Sequence, residues 1–374
     1  MVHGLGRALI EQGCEVTVAT TTANGADELP VGTRVIDGIQ VHYFQRIRYE
    51  RLISLVPYFG DSVGFFYSRD LRGYLQENIA GFDLVHLHDI FTYPVLIGGR
   101  LAAANGVPYV VQTHGMLNQF RFRRRRLKKE LFLRWYGAEV LAGAKALIAL
   151  TDSERQQIIK SGLCNAPPVI PNGVDLNGYY PNGTAGKLCR EVLYLGRIHP
   201  VKGLDLLLRA FAAVARNDRQ VRLIIAGPDE NGYERELKGL SHSLNLSSQV
   251  EFTGFVDGER KQALLKNADV FALTSYSEGH SMALLEALAC GKPALITEGC
   301  NFAAVADHDA GFVTGYDVDE ISRRLATLLS DDALRAKMSL NARDLIRKSY
   351  TWSIIGGKML ELYGQILAEN ECDC

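Results

Sequence analysis

Short runs of apolar residues alternate with longer segments of helical periodicity along most of the chain. The runs are continuously apolar, which is typical of strands that are buried on both faces of a parallel sheet. Repetition of strand and helix predicts α/β domains with doubly wound sheets. The predicted strands are Glu15–Ala19, Leu84–Leu87, Tyr109–Thr113, Ala146–Leu150, Val192–Leu195, Arg222–Ala226, Gln249–Phe252, Val270–Leu273, Ala294–Ile296 and Gly311–Val313.

A proline-rich segment divides this pattern into two series. Residues 165–172 read NAPPVIPN and carry three prolines within five positions. Prolines at this density end helices and strands and mark a connection. We therefore predict an N-terminal domain over residues 1–166 and a C-terminal domain over residues 167–350. The remaining segment, 351–374, has a helical pattern and is expected to pack back on the N-terminal domain.

Composition is that of an ordinary globular protein. The chain has 374 residues, of which 47% are hydrophobic, and its 41 basic residues balance 42 acidic ones. This balance argues against a protein that binds nucleic acid over its whole surface. Seven cysteines without a CxxC pair favour a reduced compartment. The first residues have the pattern of an amphipathic helix rather than of a signal peptide, so we expect a cytoplasmic protein.

The most informative motif is SEGHSMALLEALACGKPALIT, which follows a predicted strand. Ser281 is a good N-cap for an apolar helix, and Gly291 is a good stop. Glu286 is the only charge on this helix, and a buried carboxylate costs several kcal/mol unless it is paired. The vicinal hydroxyls of a ribose and a nearby lysine or arginine would both satisfy it. Glu278 lies about 12 Å away along a helix, which is too far for the carboxylate pair of a glycosidase.

A second motif, YLGRIHPVKG, places two cations after a strand and before a helix. Arg197 and Lys202 would flank the helix N-terminus, where free amides also point, and together they form a candidate diphosphate site. The order of a Walker A loop is absent. The structural alternative is a pair of solvated surface cations. Further along the chain, Gly227 ends a strand in AGPD, where a backbone or a ring can approach closely.

These motifs, taken in order, resemble glycosyltransferase family 4, the retaining enzymes that use nucleotide-sugars and have the GT-B fold. The resemblance is carried by PNGVD, Gly196-Arg197, Lys202-Gly203, AGPD and Glu278-x7-Glu286. It implies two Rossmann-like doubly wound domains that face a central cleft, the first binding the acceptor and the second the donor. Because Val2 and Leu5 lie on one face of a first helix, we expect the first strand of the N-terminal domain to be missing ahead of Met1, with lower stability and activity as a consequence.

The resemblance also implies roles for individual residues. Arg197 and Lys202 would hold the donor diphosphate, Glu278 the donor sugar and Glu286 the ribose. Since cations and the helix dipole then carry the charge, no metal and no cofactor are expected. The implied catalytic residues are Glu278, Arg197, Lys202 and His114. The implied donor-binding residues are Arg197, Lys202, Gly227, Phe255, Val256, Glu278, Gly279, His280, Ser281 and Glu286.

Two sets of residues are candidates for the acceptor side. His114 follows a predicted strand at a position where the family carries a histidine, and His88 and Asp89 follow another strand. Residues 121–129 hold seven basic side chains among aromatic ones, a pattern that favours contact with an anionic membrane or a lipid-linked acceptor. A solvated helix face is the structural alternative, and RNA binding lacks a supporting module. The basic residues of this patch are Arg121, Arg123, Arg124, Arg125, Arg126, Lys128 and Lys129.

The sequence thus predicts a retaining glycosyltransferase that moves a sugar from a nucleotide-sugar to a glycan or lipid-linked saccharide, in bacterial surface-polysaccharide assembly. The alternatives are a non-catalytic sugar-nucleotide-binding scaffold and a GT-B epimerase or phosphorylase. Several positions depart from the family pattern, among them Ala303 and Ala304, which stand where related sequences often carry Pro-Glu. His280 and Ser281 stand where phenylalanine and glycine are frequent, and this change is expected to alter contacts with the donor sugar.

Overall fold

The computed structural model describes residues 1–24, 27–47, 66–116, 137–176 and 189–372. The chain forms two compact units, of which the first comprises Met1–Pro171 with Ile355–Cys374 and the second comprises Asn172–Ile354. The basic patch of residues 121–129 lies outside the described residues. Among the helices that are described, none is long and apolar enough to cross a membrane.

The first unit contains two three-stranded sheets and a short hairpin. One sheet has the order β1-β5-β4 and the other is the parallel sheet β6-β7-β8. Strand β1 pairs with β5 in parallel, whereas β4 pairs with β5 antiparallel. The strands are β1 Thr17–Thr21, β2 Ala23–Asn24, β3 Asp27–Glu28, β4 Gly32–Ile36, β5 Ile39–Phe44, β6 Val85–His88, β7 Tyr109–Gln112 and β8 Ala146–Ile148.

The antiparallel β4–β5 pair departs from the prediction of parallel strands alone. Asp37 and Gly38 connect the two strands, and their φ angles are 49° and 82°. Two consecutive residues with positive φ are what a type I′ hairpin turn requires, and Asp-Gly is one of its preferred sequences. The turn therefore reverses the chain within two residues, so β5 runs antiparallel to β4 and no helix lies between them.

The helices of the first unit surround a core that is centred on β7 and β8. Val110, Val111 and Ile148 are fully buried there. The helices are α1 Val2–Ile10, α2 Arg69–Asn78, α3 Tyr93–Ala104, α4 Ala138–Ala142, α5 Asp152–Lys160 and, from Ile355 onward, α13 Trp352–Cys372.

The second unit is built on one six-stranded sheet in which every pair of neighbours is parallel. Its order is β11-β10-β9-β12-β13-β14, and β12 is buried along its whole length. The prediction of a doubly wound parallel sheet is confirmed here. The strands are β9 Arg190–Leu195, β10 Val221–Ala226, β11 Val250–Gly254, β12 Val270–Leu273, β13 Ala294–Thr297 and β14 Gly311–Thr314.

The strand order of this sheet fixes where a ligand can bind. The chain runs outward from β9 through β10 to β11, then returns to β12 on the other side of β9. The strand order therefore reverses between β9 and β12, and ligands of doubly wound sheets bind at the carboxyl ends of the strands where it does so. The helices of this unit are α6 Leu204–Ala215, α7 Tyr233–Ser243, α8 Gly258–Asn267, α9 Met282–Ala289, α10 Ala304–Asp307, α11 Val318–Ser330 and α12 Asp332–Ser349.

Candidate functional site

The loops that follow β9 and β12 are joined by hydrogen bonds at these carboxyl ends. The Thr274 hydroxyl donates to the Gly203 carbonyl at 2.8 Å, and the Tyr276 amide donates to the Val201 carbonyl at 2.8 Å. Gly203 has a φ of 59°, and a Cβ added there would lie 2.1 Å from the Thr274 oxygen. Only glycine fits this position, because both the conformation and the contact exclude a side chain.

Gly227 brings the ends of β9 and β10 together in the same way. Its φ is 147°, and a Cβ added there would lie 1.9 Å from the carbonyl oxygen of Gly196. The group that closely approaches Gly227 is therefore the backbone carbonyl of Gly196. This contact brings the loop that carries Arg197 against the end of β10.

Lys202 and Glu278 form the centre of the site. The Lys202 Nζ lies 2.6 Å from Oε1 and 2.8 Å from Oε2 of Glu278. The exposed fractions of the two side chains are 13% and 8%. Ser275 donates a further hydrogen bond to Oε1 at 2.6 Å, and the Glu278 amide donates to the carbonyl of Gly299 at 2.8 Å. Two side chains thus hold the carboxylate, and a backbone hydrogen bond fixes the residue that carries it.

Arg197 is held by a partner that the sequence analysis did not anticipate. Its Nη1 lies 3.1 and 2.9 Å from the two carboxylate oxygens of Glu230, on the loop after β10. The Arg197 side chain is 51% exposed. Tyr194, which is buried, donates its hydroxyl to the Arg197 carbonyl at 2.7 Å and fixes the backbone of this loop. Arg197 and Lys202 therefore rest on different carboxylates in this structure.

Glu286 contacts Lys261, so a basic partner meets the buried charge. The Lys261 Nζ on α8 donates to Glu286 Oε1 on α9 at 2.8 Å, and the carboxylate is mostly buried. The sequence left open whether a ribose or a basic side chain would satisfy Glu286, and in this structure a lysine does so. One oxygen is engaged by the lysine, and a ribose contact at Glu286 stays a prediction.

The start of α9 follows the expected pattern. The Ser281 hydroxyl accepts a hydrogen bond from the Leu284 amide at 3.3 Å, and Gly291 has a φ of 67° just past the end of the helix. Two of the implied donor-binding residues, Phe255 and Val256, differ in environment. Phe255 is exposed, whereas Val256 is buried in the core. Gly279 lies between Glu278 and His280 and is half-buried.

His280 occupies an aromatic core position. Its ring stacks on Tyr350 at 5.9 Å between centroids and meets Phe302 edge-on at 5.3 Å. The residue is 8% exposed, and its Nδ1 atom has no hydrogen-bond partner among the described residues. Burial lowers the pKa of His280 to about 4. The ring is therefore neutral near pH 7.

In the first unit, three histidines lie side by side. His88 Nδ1 is 3.0 Å from His114 Nε2, and the rings of His86 and His88 stack at 4.1 Å. The Tyr363 hydroxyl lies 2.6 Å from His86 Nδ1. Burial lowers the pKa of His114 to about 4 and that of His86 to about 3. Asp89, in contrast, turns back on its own loop, where its Oδ1 accepts from the amide of Ile90.

Sequence reasoning missed one buried carboxylate beside these histidines. Glu154 on α5 accepts hydrogen bonds from the loop that carries His114 and from the end of β8. Its sequence signal is the TDSE start of α5, where Thr151 accepts from the Glu154 amide at 3.2 Å. That pattern is typical of a helix N-terminus and does not predict a contact with a distant loop. Within the described ranges, no three His, Cys, Asp or Glu side chains are grouped as a metal site.

Comparisons with known proteins place the chain among sugar transferases. The family model "Glycosyltransferase Family 4" matches residues 1–177, and "Glycosyl transferases group 1" matches residues 189–345. A D-inositol 3-phosphate glycosyltransferase from Actinosynnema mirum is 30% identical over 96% of this chain and 89% of that protein. The protein of the same name from Salinispora tropica is 29% identical over 98% of this chain and 80% of that protein.

Solved structures share the fold. Sucrose-phosphate synthase from Thermosynechococcus elongatus superposes with a TM-score of 0.78 at 22% identity, over 98% of this chain and 93% of that one. Anabaena HepE in complex with UDP and glucose superposes with a TM-score of 0.73 at 21% identity, over 97% and 95% of the two chains. At this level of identity the likeness shows the fold alone.

Proposed function

The chain belongs to glycosyltransferase family 4, has the GT-B fold and is a glycosyltransferase; from this premise we propose that it transfers a sugar, with retention of configuration, from a nucleotide-sugar to a glycan or lipid-linked saccharide. The observation that carries this proposal is the Lys202–Glu278 pair at the carboxyl ends of β9 and β12. Ligands bind at this point in doubly wound sheets.

Lys202 and Arg197 are the proposed diphosphate ligands. A lysine ammonium has three donors, and Glu278 engages Nζ through two carboxylate oxygens, which leaves a donor for a phosphate oxygen. The Arg197–Glu230 pair is exposed, and such pairs contribute only about 0–1 kcal/mol. Arg197 can therefore exchange Glu230 for a diphosphate at small cost. Two cations then stabilise the negative charge of the departing nucleotide without a metal ion.

Glu286 and Glu278 are proposed to hold the two sugars of the donor. Glu286 would accept from the ribose hydroxyls, with Lys261 keeping its carboxylate in place. Glu278 would accept from hydroxyls of the transferred sugar. For the nucleotide, uridine is our first candidate, since HepE was solved with UDP and glucose and also with UDP-glucose. Phe255 has an exposed ring, which suits stacking on a base.

His114 is proposed to act on the acceptor side and at the reacting sugar, with His88 beside it. In the retaining reaction, the acceptor oxygen bonds to C1 as the bond from C1 to the phosphate oxygen breaks. The acceptor arrives on the face from which the phosphate departs, and the hydroxyl proton passes to the phosphate oxygen. A neutral His114 can accept a hydrogen bond from an acceptor or sugar hydroxyl, which a protonated ring cannot do at the same nitrogen.

For the acceptor, a saccharide of bacterial surface-polysaccharide assembly is our first candidate, and the basic patch of residues 121–129 would bring the protein to an anionic membrane surface. A second candidate is an inositol phosphate. It is favoured by the names of the relatives, which are D-inositol 3-phosphate glycosyltransferases. The two differ in charge and in attachment to lipid, so they are separable by assay.

A panel of UDP-, GDP- and ADP-sugars tests the proposal. A donor at a hundredfold excess over its Kd stabilises the fold by about 2.7 kcal/mol, which a thermal unfolding scan detects. The stabilising donor is then incubated with lipid-linked saccharides and with inositol phosphates. NMR of the product reports the anomeric configuration. An inverted product, an epimerised donor, or a panel in which no nucleotide-sugar binds would contradict the proposal.

A further inference from the structure

His114 has a backbone conformation that needs support. Its φ is 49°, and Gly115 follows with a φ of 73°. A residue with a side chain pays roughly 1–2 kcal/mol in this left-handed region. Such a conformation persists only where surrounding contacts determine it. The contacts that do so identify which residues control the position of His114.

Glu154 supplies these contacts through one carboxylate. Oε1 accepts from the Thr113 hydroxyl and from the Gly115 amide, on either side of His114. Oε2 accepts from the Leu150 amide at 2.7 Å, at the end of β8. The residue is 3% exposed. Glu154 therefore ties the His114 loop to the neighbouring strand, and three donors satisfy its buried charge.

The ring of His114 is fixed separately, by His88. The distance of 3.0 Å between His88 Nδ1 and His114 Nε2 is that of a hydrogen bond. A carboxylate thus sets the backbone of His114 and an imidazole sets its ring. Both supports come from outside the loop, since His88 ends β6 and Glu154 lies on α5.

We propose that Glu154 is a positioning residue for His114: its carboxylate holds the Thr113–Gly115 turn so that the imidazole is presented in one orientation to the reacting sugar and the acceptor. The proposal rests on the function proposed above. It predicts that loss of the carboxylate lowers turnover by about 10–100-fold, the size expected when a catalytic group is misplaced by about 1 Å. The KM for the donor would change by less than about threefold, because the proposed donor ligands lie in the other unit.

The test uses Glu154→Gln in the full chain, with Glu139→Gln as the matched control. In the glutamine variant an NH2 group replaces one carboxylate oxygen of Glu154. This group is itself a donor, so it cannot accept a hydrogen bond from the hydroxyl or amide that it faces. Glu139 is an exposed glutamate of the same unit, and its side chain pairs with Arg100 rather than with the His114 loop. Both variants are compared with wild type in protein labelled with ¹⁵N at glycine and histidine.

The NMR measurement does not depend on activity. We expect the Gly115 amide to exchange with solvent at least tenfold faster in Glu154→Gln and the His114 ring signals to move, with neither change in Glu139→Gln. Kinetics with the donor found above then show the fall in kcat. If Glu154→Gln does not fold, the same measurements are made on Thr113→Val. This variant lacks one of the three hydrogen bonds to Glu154, so a smaller effect is expected. Unchanged Gly115 and His114 signals in a folded variant would overturn the proposal. If the signals change but turnover stays full, Glu154 positions His114 as proposed, whereas His114 does not have the role in the reaction that was proposed for it.

Discussion

Lys202 Nζ lies 2.6 and 2.8 Å from the carboxylate oxygens of Glu278, a residue 76 positions further along the chain. The pair joins the loop after β9 to the loop after β12. Because both side chains are largely buried, removal of either one leaves the other as a charge without its partner, which costs more than the pair contributes. The pair is therefore a structural contact as well as a proposed part of the donor site.

Lys202→Ala and Arg197→Ala are expected to lower turnover by about 10²–10³ each, the usual effect of one lost charge stabiliser. Their effects on stability should differ. Lys202→Ala leaves Glu278 buried and is expected to cost about 3–5 kcal/mol, whereas Arg197→Ala removes an exposed pair and should cost less than about 1 kcal/mol. Urea unfolding and steady-state kinetics measure the two effects.

The double variant Lys202→Met with Glu278→Gln is the control for this prediction. It removes both charges, so stability should largely return while activity stays low. Treatment with a chelator should leave wild-type activity unchanged. Full turnover in either single variant, or a loss of activity with chelator, would refute the diphosphate assignment.

Glu286→Gln should weaken donor binding, whereas Glu278→Gln should mainly lower kcat. The difference arises because a ribose contact is equally strong in the ground and transition states, while a contact to the reacting sugar strengthens in the transition state. Lys261→Met should behave like a milder Glu286→Gln, since Lys261 holds the same carboxylate. Isothermal calorimetry with the donor gives the affinities. Equal donor affinity in Glu286→Gln and wild type would rule out the ribose role.

The sequence predicts best those features of the fold that depend on residues close together in the chain. The strand Val270–Leu273 is found with the predicted bounds, and the following helix begins after Ser281 and ends before Gly291 as expected. These features depend on neighbouring residues. The β4–β5 hairpin was missed although Asp-Gly between two strand-forming runs is a hairpin signal.

Contacts between residues that lie far apart along the chain could not be predicted from the sequence. Nothing near Glu286 in the chain indicates that Lys261 would reach it, and nothing near Arg197 indicates Glu230. In each case the partner comes from another loop or helix, and many lysines and glutamates have the same local sequence pattern. A single sequence shows which charge needs a partner but leaves open which residue provides it. The same holds for Glu154 and the His114 loop.

The basic patch of residues 121–129 should drive binding to anionic vesicles, at about 1 kcal/mol per basic residue near the surface. Replacement of Arg123, Arg124, Arg125 and Arg126 with serine should release the protein. The control variant loses the same charge elsewhere, through serine at the exposed positions Arg209, Arg216, Arg347 and Lys348. Flotation with phosphatidylserine vesicles at low and high salt measures binding. Equal flotation of the two variants, or none by wild type at low salt, would show that the patch has no role at the membrane.

His280 gives a prediction about stability and pH. Its pKa is lowered from 6.5 to about 4 in the folded chain. The unfolded chain therefore binds a proton that the folded chain does not, over the range from about pH 6.5 down to pH 4. Stability must fall as the pH falls through this range. By this linkage His280 alone accounts for a decline of up to about 3 kcal/mol.

His280→Phe should remove this decline and leave the fold intact. Phenylalanine keeps the stacking on Tyr350 and Phe302 and carries no polar atom at the position of Nδ1, which has no hydrogen-bond partner among the described residues. A buried unsatisfied polar group costs about 1–3 kcal/mol, so the variant should match or exceed wild-type stability at pH 7 and exceed it further at pH 5. Urea unfolding at both pH values measures this, with His308→Gln, a substitution at an exposed histidine, as the control. The remaining decline, from His86, His88 and His114, should persist in both variants. A His280→Phe variant that is less stable than wild type at pH 7 would show that Nδ1 binds a partner which phenylalanine cannot replace, and one that is equally sensitive to acid would show that His280 does not cause the decline.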